Sequence, residues 1–167
     1  MSDLLRISFV CTGNICRSPM GDVIFRRLAE NAGAADRFEV SSRGTGDWHV
    51  GDGADHRAVT ALHRAGFDGT SHRAAQLSDA DLTEIDLFVA LAREHRDAMI
   101  ARGADPERIV LLTDFDPERP SDPDVFDPYF SDQDAFDEVR AQVERACSAL
   151  LAELLNDPHI LVSQVSA

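Results

Sequence analysis

Apolar residues recur along this chain in two rhythms. Four short runs, residues 7–10, 38–42, 86–91 and 109–113, are close to continuously apolar, the pattern of strands covered on both faces. Between them the spacing changes to three and four. Met20, Val23, Ile24 and Leu28 line one face of a first helix, and Ala58, Leu62 and Ala65 line a second, with Asp55 placed to cap it. A third helix is expected over residues 93–102, closed by Gly103. The last is the clearest: Phe136, Val139, Val143, Ala146, Leu150 and Leu154 form one long stripe. Alternation of strands and helices predicts an α/β fold, a four-stranded parallel sheet with helices on both faces. The expected domain is single and spans residues 1–155. Residues 156–167, which contain Pro158, are expected to leave the helix as a loosely held tail. Residues 114–132 carry four prolines and many aspartates and predict a long loop, a feature usually functional inside a compact domain.

Composition narrows the function. A chain of 167 residues with 44% apolar content can bury a core, and one domain is the natural expectation. Sixteen Arg, no Lys and 30 carboxylates leave a net charge of −14. Nucleic acid and anionic lipid both need clustered positive surface, so neither is an expected partner. The longest apolar run is Leu87-Phe88-Val89-Ala90-Leu91-Ala92, far short of the ~20 residues of a membrane-spanning helix. The N-terminus lacks the basic and apolar regions of a secretory signal. Three cysteines do not make a disulfide scaffold or a metal-binding spacing, so a cytoplasmic protein without metal or other cofactor is expected.

One segment carries chemistry. Cys11-Thr12-Gly13-Asn14-Ile15-Cys16-Arg17-Ser18-Pro19 lies directly after the first strand and before the first helix. A loop turning into a helix N-terminus aims several backbone N–H groups at one point, and the helix dipole adds partial positive charge. Gly13 and Asn14 tolerate positive φ, and Pro19 suits a first helical turn. Cys11 sits at the mouth of this anion cradle, where the same N–H groups favour its thiolate. The Arg17 fork can hold two phosphoryl oxygens. The loop is not a nucleotide-binding P-loop, because it lacks the Gly-Lys-Ser/Thr ending.

This segment, with Met20, resembles the signature of the low-molecular-weight protein tyrosine phosphatases, and its wording is most similar to actinobacterial members. Asp127-Pro128-Tyr129-Phe130 resembles the family's acid loop. The stretches from Ser41 to Trp48 and from Ser71 to Gln76 match further blocks. The resemblance runs from about Ile7 to Leu155. It implies the strand order 2-1-3-4 and hydrolysis of phosphotyrosine, in proteins or peptides, and of small aryl phosphates through a cysteinyl-phosphate, with phosphate and vanadate as inhibitors.

The resemblance also implies roles. Cys11 is the nucleophile, Arg17 and the loop residues Thr12, Gly13, Asn14, Ile15 and Cys16 bind the phosphoryl group, and Ser18 donates to the Cys11 thiolate. Asp127 is the general acid, singled out by its Asp-Pro-Tyr context among ten acids between Asp114 and Glu138; Asp124 is expected to be loop surface. Asn14, Ser42 and His72 match residues that support the cradle. From the residues alone His72 reads as a turn or surface histidine. His49, His56, His63, His95 and His159 show no partner pattern. Trp48, Tyr129 and Phe130 are expected to wall the substrate pocket. Cys16 is either a redox partner for Cys11 or a small packed thiol. Cys147 falls on the last helix's apolar stripe and is expected in the core.

Several positions depart from the family pattern. Gly21-Asp22 replaces Ala-Glu, at a small expected cost in helix propensity. Ala75 stands where animal members carry Arg, and Phe130 replaces a second tyrosine. Ala92 and Glu94 replace Asp and Asn, with looser support of the site expected. Two alternatives remain: an arsenate reductase on the same fold, which would need additional cysteines between Cys16 and Cys147, and a non-catalytic phosphotyrosine binder or redox sensor.

Overall fold

Along the first strand Ile7, Phe9 and Cys11 point to one side and Ser8 and Val10 to the other, and all five are buried. A strand with no solvent-facing side must lie inside a sheet covered on both faces. The computed structural model describes residues 4–156 and bears this out. In chain order the elements are β1 (Leu5–Cys11), α1 (Arg17–Asn31), β2 (Phe38–Gly44), α2 (His56–Arg64), α3 (Asp79–Glu84), β3 (Leu87–Ala90), α4 (Arg93–Ala101), β4 (Ile109–Leu111) and α5 (Gln133–Asn156). The four strands are parallel, in the order β2-β1-β3-β4, as expected. Among the described residues no helix is long and apolar enough to cross a membrane.

Two cores result. Ile7, Phe9, Leu87 and Val89 meet Met20, Ile24 and Phe25 of α1, Leu62 of α2 and the α5 stripe from Phe136 to Leu154. On the opposite face Val10, Phe88, Ala90 and Ile109 pack with Leu77, Ile85 and Met99. Cys147 is fully buried, and its thiol faces the Gly21 carbonyl at 3.9 Å, where α5 crosses α1. Gly21 is more than a weak helix former. A Cβ there would lie 2.5 Å from Cδ1 of the buried Phe9 ring, so the glycine sets how closely α1 rests on β1.

The differences from the sequence expectation are local. β4 stops at Leu111, because residues 112–115 tighten into a 3₁₀ turn whose Thr113 Oγ1 donates to Pro123 O at 2.6 Å. α3 was not expected, since six residues are too short to show a helical period; its signal is the Ser78–Asp81 capping box. Asp55 caps α2 as expected, accepting from Arg57 N. α5 runs to Asn156, one residue past the expected boundary. The rest of the expected tail, residues 157–167, lies outside the described residues.

Candidate active site

β1 has β2 on one side and β3 on the other, and the chain leaves its carboxyl end in a short loop that enters α1. This is the place where parallel α/β sheets hold ligands, at the carboxyl ends of strands where the winding reverses. Cys11 is the last residue of β1 and Arg17 the first of α1. Asn14, at φ 57°, makes the turn between them.

Asn14 also holds the loop's shape. Its Nδ2 donates to Ser18 Oγ (2.8 Å) and Ser42 Oγ (3.0 Å), its Oδ1 accepts from Ala75 N (2.9 Å), and its carbonyl accepts from His72 Nε2 (2.7 Å). The Ala75 bond uses the main chain, so the Arg-to-Ala departure at this position leaves it intact. His72 carries its proton on Nε2. Burial pushes its titration below the usual histidine range, against the opposing pull of the Asn14 carbonyl.

Ser18 Oγ lies 2.9 Å from Cys11 Sγ, and Ser18 N donates to the same sulfur at 3.4 Å. Because Asn14 already donates to Ser18 Oγ, the serine's own proton is left for the sulfur. A thiolate at Cys11 would thus receive two hydrogen bonds without any rearrangement.

Arg17 is buried. It donates to Val125 O at 3.1 Å and lies 3.5 Å from Asp127 Oδ2. Asp127 is half exposed and accepts from Tyr129 N at 3.2 Å. These residues bound a cleft of about 280 Å³. Cys11 is at its floor, only 2% exposed, and Trp48, His49, Tyr129 and Phe130 form its walls. Trp48 and Phe130 are 72% and 94% exposed, an apolar rim open to solvent. Tyr129 and Phe130 meet edge to face at 4.9 Å. Trp48 folds back over Gly46, where any Cβ would overlap its ring. A larger polar groove of about 520 Å³ runs along the free edge of β2. Three of its arginines are occupied, Arg26 by Asp22, Arg27 by Glu30 and Arg43 by Asp81.

Three side chains at the site left no signal in the sequence. His95 is buried beneath the loop with Nε2 2.9 Å from Thr12 Oγ1, and its Nδ1 has no partner among the described residues. Burial, reinforced by the Arg17 charge, brings its pKa down to about 3, so it is neutral. Asp124 is not free loop surface. Its Oδ1 accepts from Arg93 N at 2.8 Å, and its carboxylate pairs with the Arg93 guanidinium at 3.2 Å. It therefore caps α4 from a distance, which Ala92 cannot do. Arg57 reaches from α2 to the backbone just beyond Asp127, donating to the carbonyls of Tyr129 and Ser131. Cys16 is buried and free, and burial, with nearby Asp55, pushes its thiol well above the ordinary range.

Fold and site together define a class: a parallel α/β domain whose strand–helix turn forms an anion cradle with a thiol at its floor and a carboxylate at its mouth. The chain belongs to the low molecular weight phosphotyrosine protein phosphatase family, whose model matches residues 6–159. It is 44% identical over 151 residues to low molecular weight protein-tyrosine phosphatase A of Mycobacterium tuberculosis, covering 90% of this chain and 91% of that one. A low molecular weight protein-tyrosine-phosphatase of Streptomyces coelicolor is 42% identical, over 88% and 92%. The crystal structure of YfkJ from Bacillus subtilis superposes with a TM-score of 0.86 at 32% identity, over 93% and 97%. The resemblance to actinobacterial members holds in the first two of these.

Proposed function

We propose that the protein hydrolyses phosphotyrosine through a cysteinyl-phosphate on Cys11. The observation that carries this reading is the pair of hydrogen bonds from Ser18 to Cys11 Sγ, with Arg17 and Asp127 closing the same cleft. The loop N–H groups and the Arg17 fork take the three non-bridging phosphoryl oxygens, a charge-matched clamp for the transition state. As they do so, the phosphoryl group replaces Asp127 on the Arg17 guanidinium. The Cys11 thiolate then attacks phosphorus, the bond to the tyrosine oxygen breaks, and Asp127 gives that oxygen its proton. In the second step Asp127 takes a proton from water as the water attacks phosphorus. Inorganic phosphate leaves and the thiolate is restored. Asn14, Ser42 and His72 hold the loop for both steps.

The thiol at the floor, under an aromatic rim, supports a long flat substrate such as an aryl phosphate over a short serine ester. Phosphotyrosine in a protein or peptide is the natural source, with phosphate and vanadate as competing ligands of the cradle. A related structure, the arginine phosphatase YwlE with its active-site cysteine changed to serine, carries a phosphorylated active-site serine, and this supports a covalent step at the same place. Two observations weigh against the arsenate reductase alternative: no cysteine lies between Cys16 and Cys147, and Cys147 is sealed in the core. Three free thiols suit a reducing cytoplasm as the place of action.

One experiment decides. Cys11→Ser should abolish turnover of phosphotyrosine and 4-nitrophenyl phosphate while still binding phosphate, because most of the cradle is backbone and Arg17. Asp127→Asn should lower kcat/KM for phosphotyrosine by ~10²-fold or more. It should lower kcat/KM for 2,4-dinitrophenyl phosphate far less, since that leaving group departs as a stable anion and kcat/KM does not include the later water attack. Turnover by Cys11→Ser would overturn the nucleophile, and an equal loss of kcat/KM on both substrates in Asp127→Asn would overturn the acid.

A further inference from the structure

Asp127 is half exposed on its loop, and a proton donor must be held to within a fraction of an ångström to be effective. The loop is pinned on its N-terminal side by Val125, whose N–H donates to Leu91 O at 2.8 Å and whose carbonyl takes Arg17. On the other side the holder is a side chain from a different element. Arg57, in the first turn of α2, donates to Tyr129 O at 3.0 Å and Ser131 O at 2.8 Å. Its remaining N–H groups grip Asp55, from Nε to Oδ1 at 3.0 Å and from an Nη to Oδ2 at 2.8 Å. The guanidinium lies over the Phe136 ring, 4.4 Å from its centroid.

Both ends of this chain of contacts reach the reacting groups. Tyr129, whose carbonyl Arg57 holds, gives its own N–H to Asp127 Oδ1. Asp55, whose carboxylate Arg57 holds, gives its N–H to Ile15 O in the middle of the cradle at 2.8 Å. We propose that Arg57 is a positioning residue that sets Asp127 over the cradle by tying the acid loop, through Asp55, to the phosphate-binding loop. The inference rests on the reading of Asp127 as the general acid. Burial works to raise the titration of Asp55, but the hydrogen bonds and charge of Arg57 outweigh it and hold the carboxyl below the usual range, so the pair is ionised throughout the neutral range. Lysine cannot replace this link. One ammonium cannot span two carbonyls and both oxygens of a carboxylate, whereas a planar fork does.

The test is a set of leaving-group and pH comparisons on the full chain, with Arg57→Ala, Arg57→Lys, Asp127→Asn and the double variant Arg57→Ala/Asp127→Asn. Arg57→Ala should lower kcat/KM for phosphotyrosine about 10- to 100-fold. It should leave kcat/KM for 2,4-dinitrophenyl phosphate and the inhibition constant of phosphate within about threefold of wild type, because that leaving group needs no proton. Its basic limb in the pH–rate profile should flatten toward that of Asp127→Asn. The double variant should be no slower than Asp127→Asn alone, because the two changes remove one function. Arg57→Lys keeps a charge against Asp55, and so the fold, and should fall between wild type and Arg57→Ala. If Arg57→Ala does not fold, the same substrate ratio measured on Arg57→Lys decides. Equal loss of kcat/KM on both substrates, or multiplying effects in the double variant, would overturn the positioning role. If instead Asp127→Asn shows no leaving-group dependence, the acid assignment fails, a result distinct from failure of Arg57 alone.

Discussion

His95 gives the sharpest physical prediction, because burial sets its sign and the unfolded-state value sets its size at mildly acidic pH. The ring is buried with Nε2 on Thr12 Oγ1 and, among the described residues, no partner for Nδ1, and its pKa is lowered to about 3. In the unfolded chain a histidine titrates near 6.5. As the pH falls, the unfolded state therefore binds this proton first. The contribution of neutral His95 is complete above pH 6.5, declines below it and is exhausted near pH 3. At pH 5.0 the gap from the unfolded value is about 1.5 units, which removes about 2 kcal/mol. For a chain of this length that corresponds to about 4–8 °C in Tm. The perturbation is His95→Gln, which keeps a polar partner for Thr12 but cannot titrate. Denaturant unfolding of wild type and variant, under reducing conditions at pH 7.5 and 5.0, gives the comparison. His72, which titrates with the same sign, is present in both chains and cancels in the difference. Wild type should lose about 2 kcal/mol more than His95→Gln between the two pH values. Equal losses would show that His95 is not held neutral under the cradle and would refute the argument from burial.

Gly21→Ala should destabilise the fold by about 1–3 kcal/mol through overpacking against Phe9, although alanine is the better helix former by ~1 kcal/mol; a rise in Tm would mean that α1 can shift without cost. Asp124→Ala should lower stability by about 1 kcal/mol through loss of the α4 cap. Because Val125 stays bonded to Leu91, it should leave the ratio of phosphotyrosine to 2,4-dinitrophenyl phosphate turnover unchanged, and a leaving-group-selective loss would contradict this. Mild peroxide should inactivate the enzyme through Cys11. Closure of a Cys11–Cys16 disulfide, followed by mass spectrometry, should accelerate as the pH is raised above neutral, since burial keeps the Cys16 thiol protonated. A closure rate independent of pH would be at odds with that.

The sequence by itself determined the parts whose causes are local. The cradle is written in nine consecutive residues, and the turn chemistry of Gly13, Asn14 and Pro19 acts within them. The α5 stripe repeats over five turns, and residues 7–11 of β1 and all of β3 announce two-sided burial because every position in them is apolar or small. Where the pattern was short it was silent, as for the six residues of α3. What the tertiary structure decided is which polar side chains meet. His95 finds Thr12 83 residues away, Arg57 finds the carbonyls of Tyr129 and Ser131 72 and 74 residues away, and Asp124 finds the start of α4 31 residues away. None of these pairs leaves a mark in spacing, since two of the three depend on main-chain groups that every residue possesses. They exist because a parallel sheet brings the carboxyl ends of its strands to one edge. The loops gathered there then satisfy one another's hydrogen bonds.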